Sequence, residues 1–239
     1  MPSNTSPSIS VIIPTYNEEK YIRNVFDGLR DQTFRSFETI IVDWNSKDST
    51  REIAKQYGAR VLVEKGKGIG RARNSGAEAA RGNLLVFLDA DTRPQSGLLK
   101  AYAAAFASGR IVAATGPILP LEKTSKRIRA GYKFVSVLFV KVSILMGQPS
   151  IVGSNFAVRK DAFRKVGGFD ERYMTHEDYD LSLRLKKAGR IVYVNDAVVH
   201  ASIRRVKAWG VFGYFTYHTG NMFRYHLLRK PKEEYDPIR

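Results

Sequence analysis

The stretch LLVFLDADTRP, residues 84–94, runs five apolar residues straight into Asp89 and Asp91, with only Ala90 between them. Along a strand, residues i and i+2 share a face, so both carboxylates project to one side from the end of a buried strand. Two like charges held that close repel unless a positive charge sits beside them. A hard divalent cation with oxygen ligands, Mn²⁺ or Mg²⁺, fits that place, and such ions often carry the phosphates of a substrate. A solvated turn that happens to hold two acids is the competing reading of so short a pattern. The buried strand ahead of it favours the cation.

Two further clusters bear chemistry. HEDYDLSLRLKKAG, 176–189, places three consecutive ionisable groups, His176, Glu177 and Asp178, before an amphipathic helix. Thr175 and Asp178 have the spacing of a capping box, and Asp180 and Arg184 that of an i, i+4 ion pair. A carboxylate here is also placed to act as a general base. KGKGIGRARNSG, 65–76, has glycines at 66, 68 and 70, but Arg73 stands where a dinucleotide fingerprint needs its third glycine. It also follows the third strand instead of the first, which excludes a Rossmann NAD site. A loop carrying Lys67, Arg71 and Arg73 into a helix N-terminus suits a diphosphate; a solvated basic turn is the alternative.

The elements that must position these groups read as alternating strands and helices. Strands are expected at 8–13, 37–42, 59–64 and 84–88, with Pro14 ending the first, and helices at 17–30, 49–57 and 71–80. That alternation implies an α/β fold with a mainly parallel sheet covered on both faces. In such sheets the ligand lies beyond the carboxyl ends of the strands, which is where PTYNEE, DWNSKD, KGKGIGRAR and DAD all fall. Beyond residue 95 the pattern predicts a helix at 96–107, a strand in IVAATGPI, a strand and helix in GSNFAVRKDAFRKVGGFDE, a helix at 179–188 and a strand at RIVYV. No repeat or linker divides the chain.

The 239 residues include no cysteine, which excludes disulfides and thiolate metal sites and fits a reducing compartment. The first residues, MPSNTSPSIS, have no apolar signal-peptide core. Net charge is +16, which favours polyanionic partners. The excess sits in 123–147 and 201–232, interleaved with apolar and aromatic residues, a mixture that suits a membrane surface at least as well as DNA.

Taken together, SVIIPTYNEE, IIVDWNSKDST, KGIGRARNSGAEAARGNLLVFLDADT, GSNFAVRKDAFRKVGGFDE and HEDYDLSLRLKKAG resemble, in order and spacing over roughly residues 8–190, a family 2 glycosyltransferase of the GT-A fold. The resemblance implies an inverting, metal-dependent hexosyltransferase that uses a nucleoside-diphosphate sugar. It further implies that Pro14, Tyr16, Glu18 and Asp43 line the nucleoside pocket. Asp89, Ala90 and Asp91 would be the family's DXD, touching ribose and metal-diphosphate, and Asp178 the catalytic base. Where the family often has two adjacent acids after the second strand, this chain has Asp43-Trp44. His200, ending a strand in VVHASIRR, stands near the place from which GT-A enzymes often take a further metal ligand; a structural histidine is the alternative. In the tail, Asn221-Met-Phe-Arg224-Tyr225 resembles the QxxRW motif of cellulose-synthase-like members, which would put Arg224 on the diphosphate; a basic amphipathic helix is the other reading.

The expected organisation is a catalytic domain over 1–200, its nucleotide-binding half at about 8–95 and its acceptor half at about 96–200, followed by a basic aromatic helical segment at 201–239. KRIRAGYKFVSVLFVKVSILMG, 126–147, has an apolar run too short to span a bilayer. It reads either as an interfacial helix with Lys126, Arg127, Arg129 and Lys133 on headgroups, or as a core helix. The interfacial reading predicts a cytoplasmic protein, peripheral or anchored at the inner face of an anionic membrane, with a lipid-linked or polyprenyl-type acceptor. Family habit favours GDP-mannose as donor, then UDP-glucose. A sugar-nucleotide nucleotidyltransferase should carry a glycine-rich basic loop where PTYNEE stands. A nucleic-acid partner is not expected, because the converging acids would repel phosphates without a metal.

Overall fold

In a computed structural model describing residues 7–107, 109–125, 137–138 and 140–228, strand β1 (Ile9–Thr15) lies in the interior of the main sheet. Its side chains alternate between two apolar layers: Ile9, Val11 and Ile13 enter one, Ile12 the other, all essentially without exposed surface. β2 (Phe37–Asp43) and β4 (Leu84–Leu88) flank it in parallel, and β3 (Arg60–Val63) lies beyond β2. β8 (Asn155–Arg159) runs antiparallel between β4 and β6 (Ile111–Thr115), and β9 (Arg190–Tyr193) closes the edge parallel to β6. The resulting order is β3-β2-β1-β4-β8-β6-β9, a seven-stranded, mainly parallel sheet.

Helices α1 (Ile22–Arg30), α2 (Thr50–Gln56), α3 (Ile69–Ala79) and α4 (Leu98–Phe106) cross between strands, and α5 (Lys160–Lys165) and α6 (Glu177–Ala188) pack beside β8, β6 and β9. Gly58, at φ 75°, stops the α2 segment as expected from its place. Gly76 of α3 is pressed against the sheet: a Cβ there would lie 2.4 Å from Ile12 Cγ2. On that face Phe87 stacks on Phe156 with centroids 4.7 Å apart, and Phe169 meets Phe87 edge-on at 5.6 Å.

Three expectations change. The first strand does not end at Pro14 but runs to Thr15. Pairing with β4 stops at Ile12–Phe87, so Pro14 has one neighbouring strand, β2, instead of two. IVAATGPI divides into β6 and a short β7 (Ile118–Pro120) at Gly116, whose missing Cβ admits the Ala197 carbonyl. β7 then joins β5 (Thr92–Pro94) and β10 (Val199–Ala201) in a small separate sheet, order β5-β10-β7, that sequence periodicity does not announce. The last helix, α7 (Arg204–Leu228), is broken at Gly210, φ 71°. Residues 126–136 lie outside the described ones, and with them the proposed headgroup contacts of Lys126, Arg127, Arg129 and Lys133. Among the described residues no helix is long and apolar enough to cross a membrane.

Candidate functional site

The carboxyl ends of β1, β2 and β4 and the N-terminus of α6 open on one edge of the sheet. There Asp89 and Asp91, at the end of β4, come together with Glu177 and Asp178. The link is Arg73, on α3. Its guanidinium lies 2.9 Å from Asp89 and 2.6 Å from Glu177, over the Phe169 ring and 1% exposed. Gly153 admits it, since a Cβ there would lie 2.7 Å from Arg73 Nη2. Burial pulls the Arg73 pKa down, but Asp89 and Glu177 hold it above its ordinary value, so the pair of ion pairs is fully charged on the arginine side. This corrects the expectation that Arg73 faces a diphosphate. Its charge is spent inside the protein, tying the two acidic pairs together.

Glu177 turns inward to Arg73, and burial, then Asp178 beside it, push its carboxyl up to about 7. Asp178 is half-buried. Its Oδ2 accepts from the Gly153 N–H at 2.8 Å and its Oδ1 from the Tyr179 N–H at 2.8 Å. Of the two acids, Asp178 is therefore the one oriented yet reachable. The capping box expected from Thr175 and Asp178 does not form. His176, at φ 61°, heads the helix without a side-chain cap, and Thr175 is bonded to Asn221 instead. The Asp180–Arg184 pair forms as its spacing predicts, at 2.6 Å.

Asp91 meets a cation that sequence reading missed. Arg204 places one nitrogen 3.2 Å from Asp91 and forks onto both oxygens of Glu18, at 2.8 and 3.1 Å, with its guanidinium 4.7 Å over Tyr21. Burial, then Asp89, push the Asp91 carboxyl up to about 6 against the pull of Arg204. The only hint in the sequence was that Arg204-Arg205 follow closely on the strand of VVHASI. Beside Glu18 a cavity of about 290 Å³ is lined by Lys20, Lys47 and Arg204, by the acids Glu19 and Asp48, and by Asn17 and Tyr21. Ala90 is buried between the two aspartates.

Pro14 and Tyr16 are partly exposed at the end of β1, and the Tyr16 ring lies 4.7 Å from that of Trp44. Asp43 has no exposed surface. Its carboxylate accepts from Thr15 Oγ1 at 3.0 Å and from the Ser46 N–H at 2.8 Å, so it fastens the turn that carries Trp44 and does not itself offer a carboxylate to a ligand. Lys67 is exposed on the loop before α3. His200 is placed elsewhere. It pairs in register with Arg93 on the small sheet and lines a cavity of about 460 Å³ with Asp31, Gln95 and Pro120 among others, to which neither Asp89 nor Asp91 contributes. Among the described residues no group of three or more His, Asp or Glu gathers as a metal cage. What remains for a divalent cation is the Asp89–Asp91 pair. Two hard carboxylates fit such an ion, a guanidinium already lies against each of them, Arg73 on Asp89 and Arg204 on Asp91, and ligand oxygens would have to complete its shell. Arg224 is exposed on α7, while Asn221 and Tyr225 of the same helix are buried.

A family model described as Glycosyl transferase family 2 matches residues 10–167. The chain is 27% identical over 206 residues to the glycosyltransferase AglE of Haloferax volcanii, covering 82% of this chain and 67% of that protein. It is 28% identical over 246 residues to the amylovoran biosynthesis glycosyltransferase AmsB of Erwinia amylovora, covering 92% of this chain and 76% of AmsB. Some relatives are much longer: a match to EpsH of Bacillus subtilis, 38% identical over 91 residues, covers 36% of this chain and 26% of EpsH. The chain thus spans between about a quarter and two thirds of the length of EpsH and AglE. Among solved structures, the mannosyltransferase PcManGT from Pyrobaculum calidifontis, in complex with GDP-Man and Mn²⁺, has a TM-score of 0.68 at 20% identity, covering 91% of this chain and 65% of that one. Residues 1–349 of S. aureus TarS, in complex with UDP-GlcNAc, give 0.63 at 23%, covering 82% and 58%. At such identities the likeness is one of fold. The family match ends upstream of the tail in which a cellulose-synthase-like motif was expected.

Proposed function

The chain belongs to glycosyl transferase family 2, and from that premise we propose that it moves a hexose from a nucleoside-diphosphate sugar to an acceptor hydroxyl in a single inverting displacement. The observation that carries the reading is Arg73, which binds both Asp89 and, 104 residues further along the sequence from itself, Glu177, and so sets a donor-side acid pair beside an acceptor-side one. The nucleotide-binding half is 8–95 and the acceptor half 96–200, with the basic tail from 201 as an accessory segment. Pro14, Tyr16 and Trp44 wall the nucleoside, and Lys20, Lys47 and Arg204 face its phosphates. Asp89 and Asp91 would hold Mn²⁺ or Mg²⁺, which when bound supplies charge neutralisation on the leaving diphosphate. Asp178 takes the acceptor's proton. The acceptor oxygen forms its bond to the anomeric carbon as the bond to the diphosphate breaks, and the nucleoside diphosphate leaves with the electron pair. One displacement from the opposite face inverts the configuration.

Asp178 is the proposed base, not Glu177, because Glu177 is spent on Arg73 while Asp178 is held by two N–H groups and still reachable. Asp178→Asn should lower turnover by about 10²–10⁴-fold and leave nucleotide binding intact. Unchanged turnover would point to an acceptor that is already anionic, such as a lipid phosphate. GDP-mannose is the first donor to try and UDP-glucose the next. Thermal shifts with GDP, UDP and their sugars, with and without Mn²⁺, on wild type and Asp91→Ala, test the donor site directly. No shift with any nucleotide would sink the reading.

A lipid-linked acceptor at an anionic membrane is supported by the helical residues 137–138 and 140–145. Leu138, Val142 and Leu145 share a helical face, with Met146 in the turn that follows, and the four are 47, 39, 86 and 74% exposed, beside the exposed Lys141. Seven residues after Met146, the Gly153 N–H donates to Asp178 at 2.8 Å, which brings this segment to the acceptor side. Flotation with anionic liposomes at low salt tests it: wild type should float and Leu145→Glu with Met146→Glu should not.

A further inference from the structure

Helix α7 carries two buried polar side chains, Asn221 at 1% and Tyr225 at 2% exposure. Four residues apart, they share a face. Both reach the segment that bears the acid pair, one on each side of it. Asn221 Nδ2 donates to Thr175 Oγ1 at 2.9 Å and lies 2.9 Å from His176 Nδ1, immediately before Glu177. The Tyr225 hydroxyl donates to Asp180 Oδ1 at 2.7 Å, two residues after Asp178. The Tyr225 ring is wedged edge-on between Tyr173 and Tyr179, at 5.6 and 5.5 Å. The other oxygen of Asp180 is held by Arg184, which in turn binds the carbonyls of Val166 and Gly168 at 2.6 Å.

His176 is where such support is needed. Its φ of 61° is a left-handed conformation that a residue with a Cβ rarely holds. The helix receives no side-chain cap there. Without an outside constraint, the first turn of α6 would be free to relax into an ordinary helical start and rotate the carboxylates of Glu177 and Asp178.

We propose that Asn221 and Tyr225 are positioning residues: a clamp from α7 that holds the His176–Asp180 turn so that Asp178 faces the acceptor. The proposal rests on the transferase reading above. Neither residue touches substrate; both act through the side chains of Thr175, His176 and Asp180 on either side of the base.

The test measures release of nucleoside diphosphate from GDP-mannose, UDP-glucose and UDP-GlcNAc with Mn²⁺, with water or added glycoside as acceptor. Tyr225→Phe, which keeps the ring, and Asn221→Ala should each lower kcat by about tenfold or more, while donor KM and calorimetric nucleotide affinity stay within twofold. His176→Gly, which adopts positive φ freely, should restore part of the kcat lost in Asn221→Ala. Neither variant should reduce the residual rate of Asp178→Asn, because a positioning residue has nothing left to position. Wild-type kcat in both variants, with only a lower Tm, would overturn the clamp, as would equal fold-losses with and without Asp178. Wild type that releases no nucleoside diphosphate from any donor would refute the transferase reading itself. Turnover that is abolished by Asp178→Asn but indifferent to both clamp variants would refute the clamp alone.

Discussion

Asp91→Asn should make the metal-free protein more stable while destroying its donor site. Burial and Asp89 raise the Asp91 carboxyl from 3.8 to about 6, so at pH 8 the fold holds an anion it disfavours. Two units at about 1.4 kcal/mol each set an upper bound of about 3 kcal/mol. Arg204 loses one partner in the variant but keeps its fork on Glu18, which takes back part of the gain. A net stabilisation of about 1–3 kcal/mol is expected, and in a chain of this size each kcal/mol raises Tm by roughly 2–4 °C. The sign with pH follows from proton counting. Between pH 4 and 6 the native wild type binds a proton that the unfolded chain does not, so the penalty is complete above about 6 and gone below about 4. The advantage of Asn should therefore fall to about half at pH 5. Calorimetric Tm values of both proteins at pH 8 and pH 5, without metal, check this. Added Mn²⁺ at pH 8 should raise wild type alone and close the gap, less so as the pH drops through 6 and protons compete. A variant less stable than wild type at pH 8, or an advantage undiminished at pH 5, would refute the picture of two acids held together for a ligand's charge.

Arg73→Met removes the cation from between two acids and should cost about 3–5 kcal/mol in urea unfolding, because Asp89 and Glu177 are left facing one another uncompensated. Gly76→Ala forces a Cβ to within 2.4 Å of Ile12 Cγ2 and 3.0 Å of Val42 Cγ2; a loss of about 1–3 kcal/mol is expected, visible as a lower urea midpoint with unchanged slope. Leu145→Glu with Met146→Glu should abolish liposome flotation and leave Tm within about 1 °C, since both side chains are solvent-exposed.

The parts of the molecule that sequence reading caught are those in which a repeat of two or of 3.6 residues reaches across a whole element. β1, β2 and β4 are apolar runs buried largely on both faces, and after β4 the i, i+2 spacing sets Asp89 and Asp91 on one side. The small sheet escaped because β5, β7 and β10 have three residues each, too few to show a period. Charges were legible as types but not as pairs. Arg73 looked like a phosphate ligand because the loop before it is basic; its real partner, Glu177, is set by topology. β8 lies against β4 and brings Asn155, with Gly153 just ahead of it, to the sheet edge; Gly153 in turn leaves room for the Arg73 guanidinium and binds Asp178. Arg204 read as one more cation in a basic tail, although β10 runs beside β5 and delivers the residues after it to Asp91: the Ser202 N–H bonds the Asp91 carbonyl, and Arg204 reaches the carboxylate. The placement of His200 was hidden for the same reason. Lying opposite Arg93 put its ring in another cavity, and no property of a lone histidine reveals which strand it will face. A site built at the ends of strands is therefore half readable. The groups on each strand end follow from local periodicity, and the counter-charges follow only from which strands become neighbours.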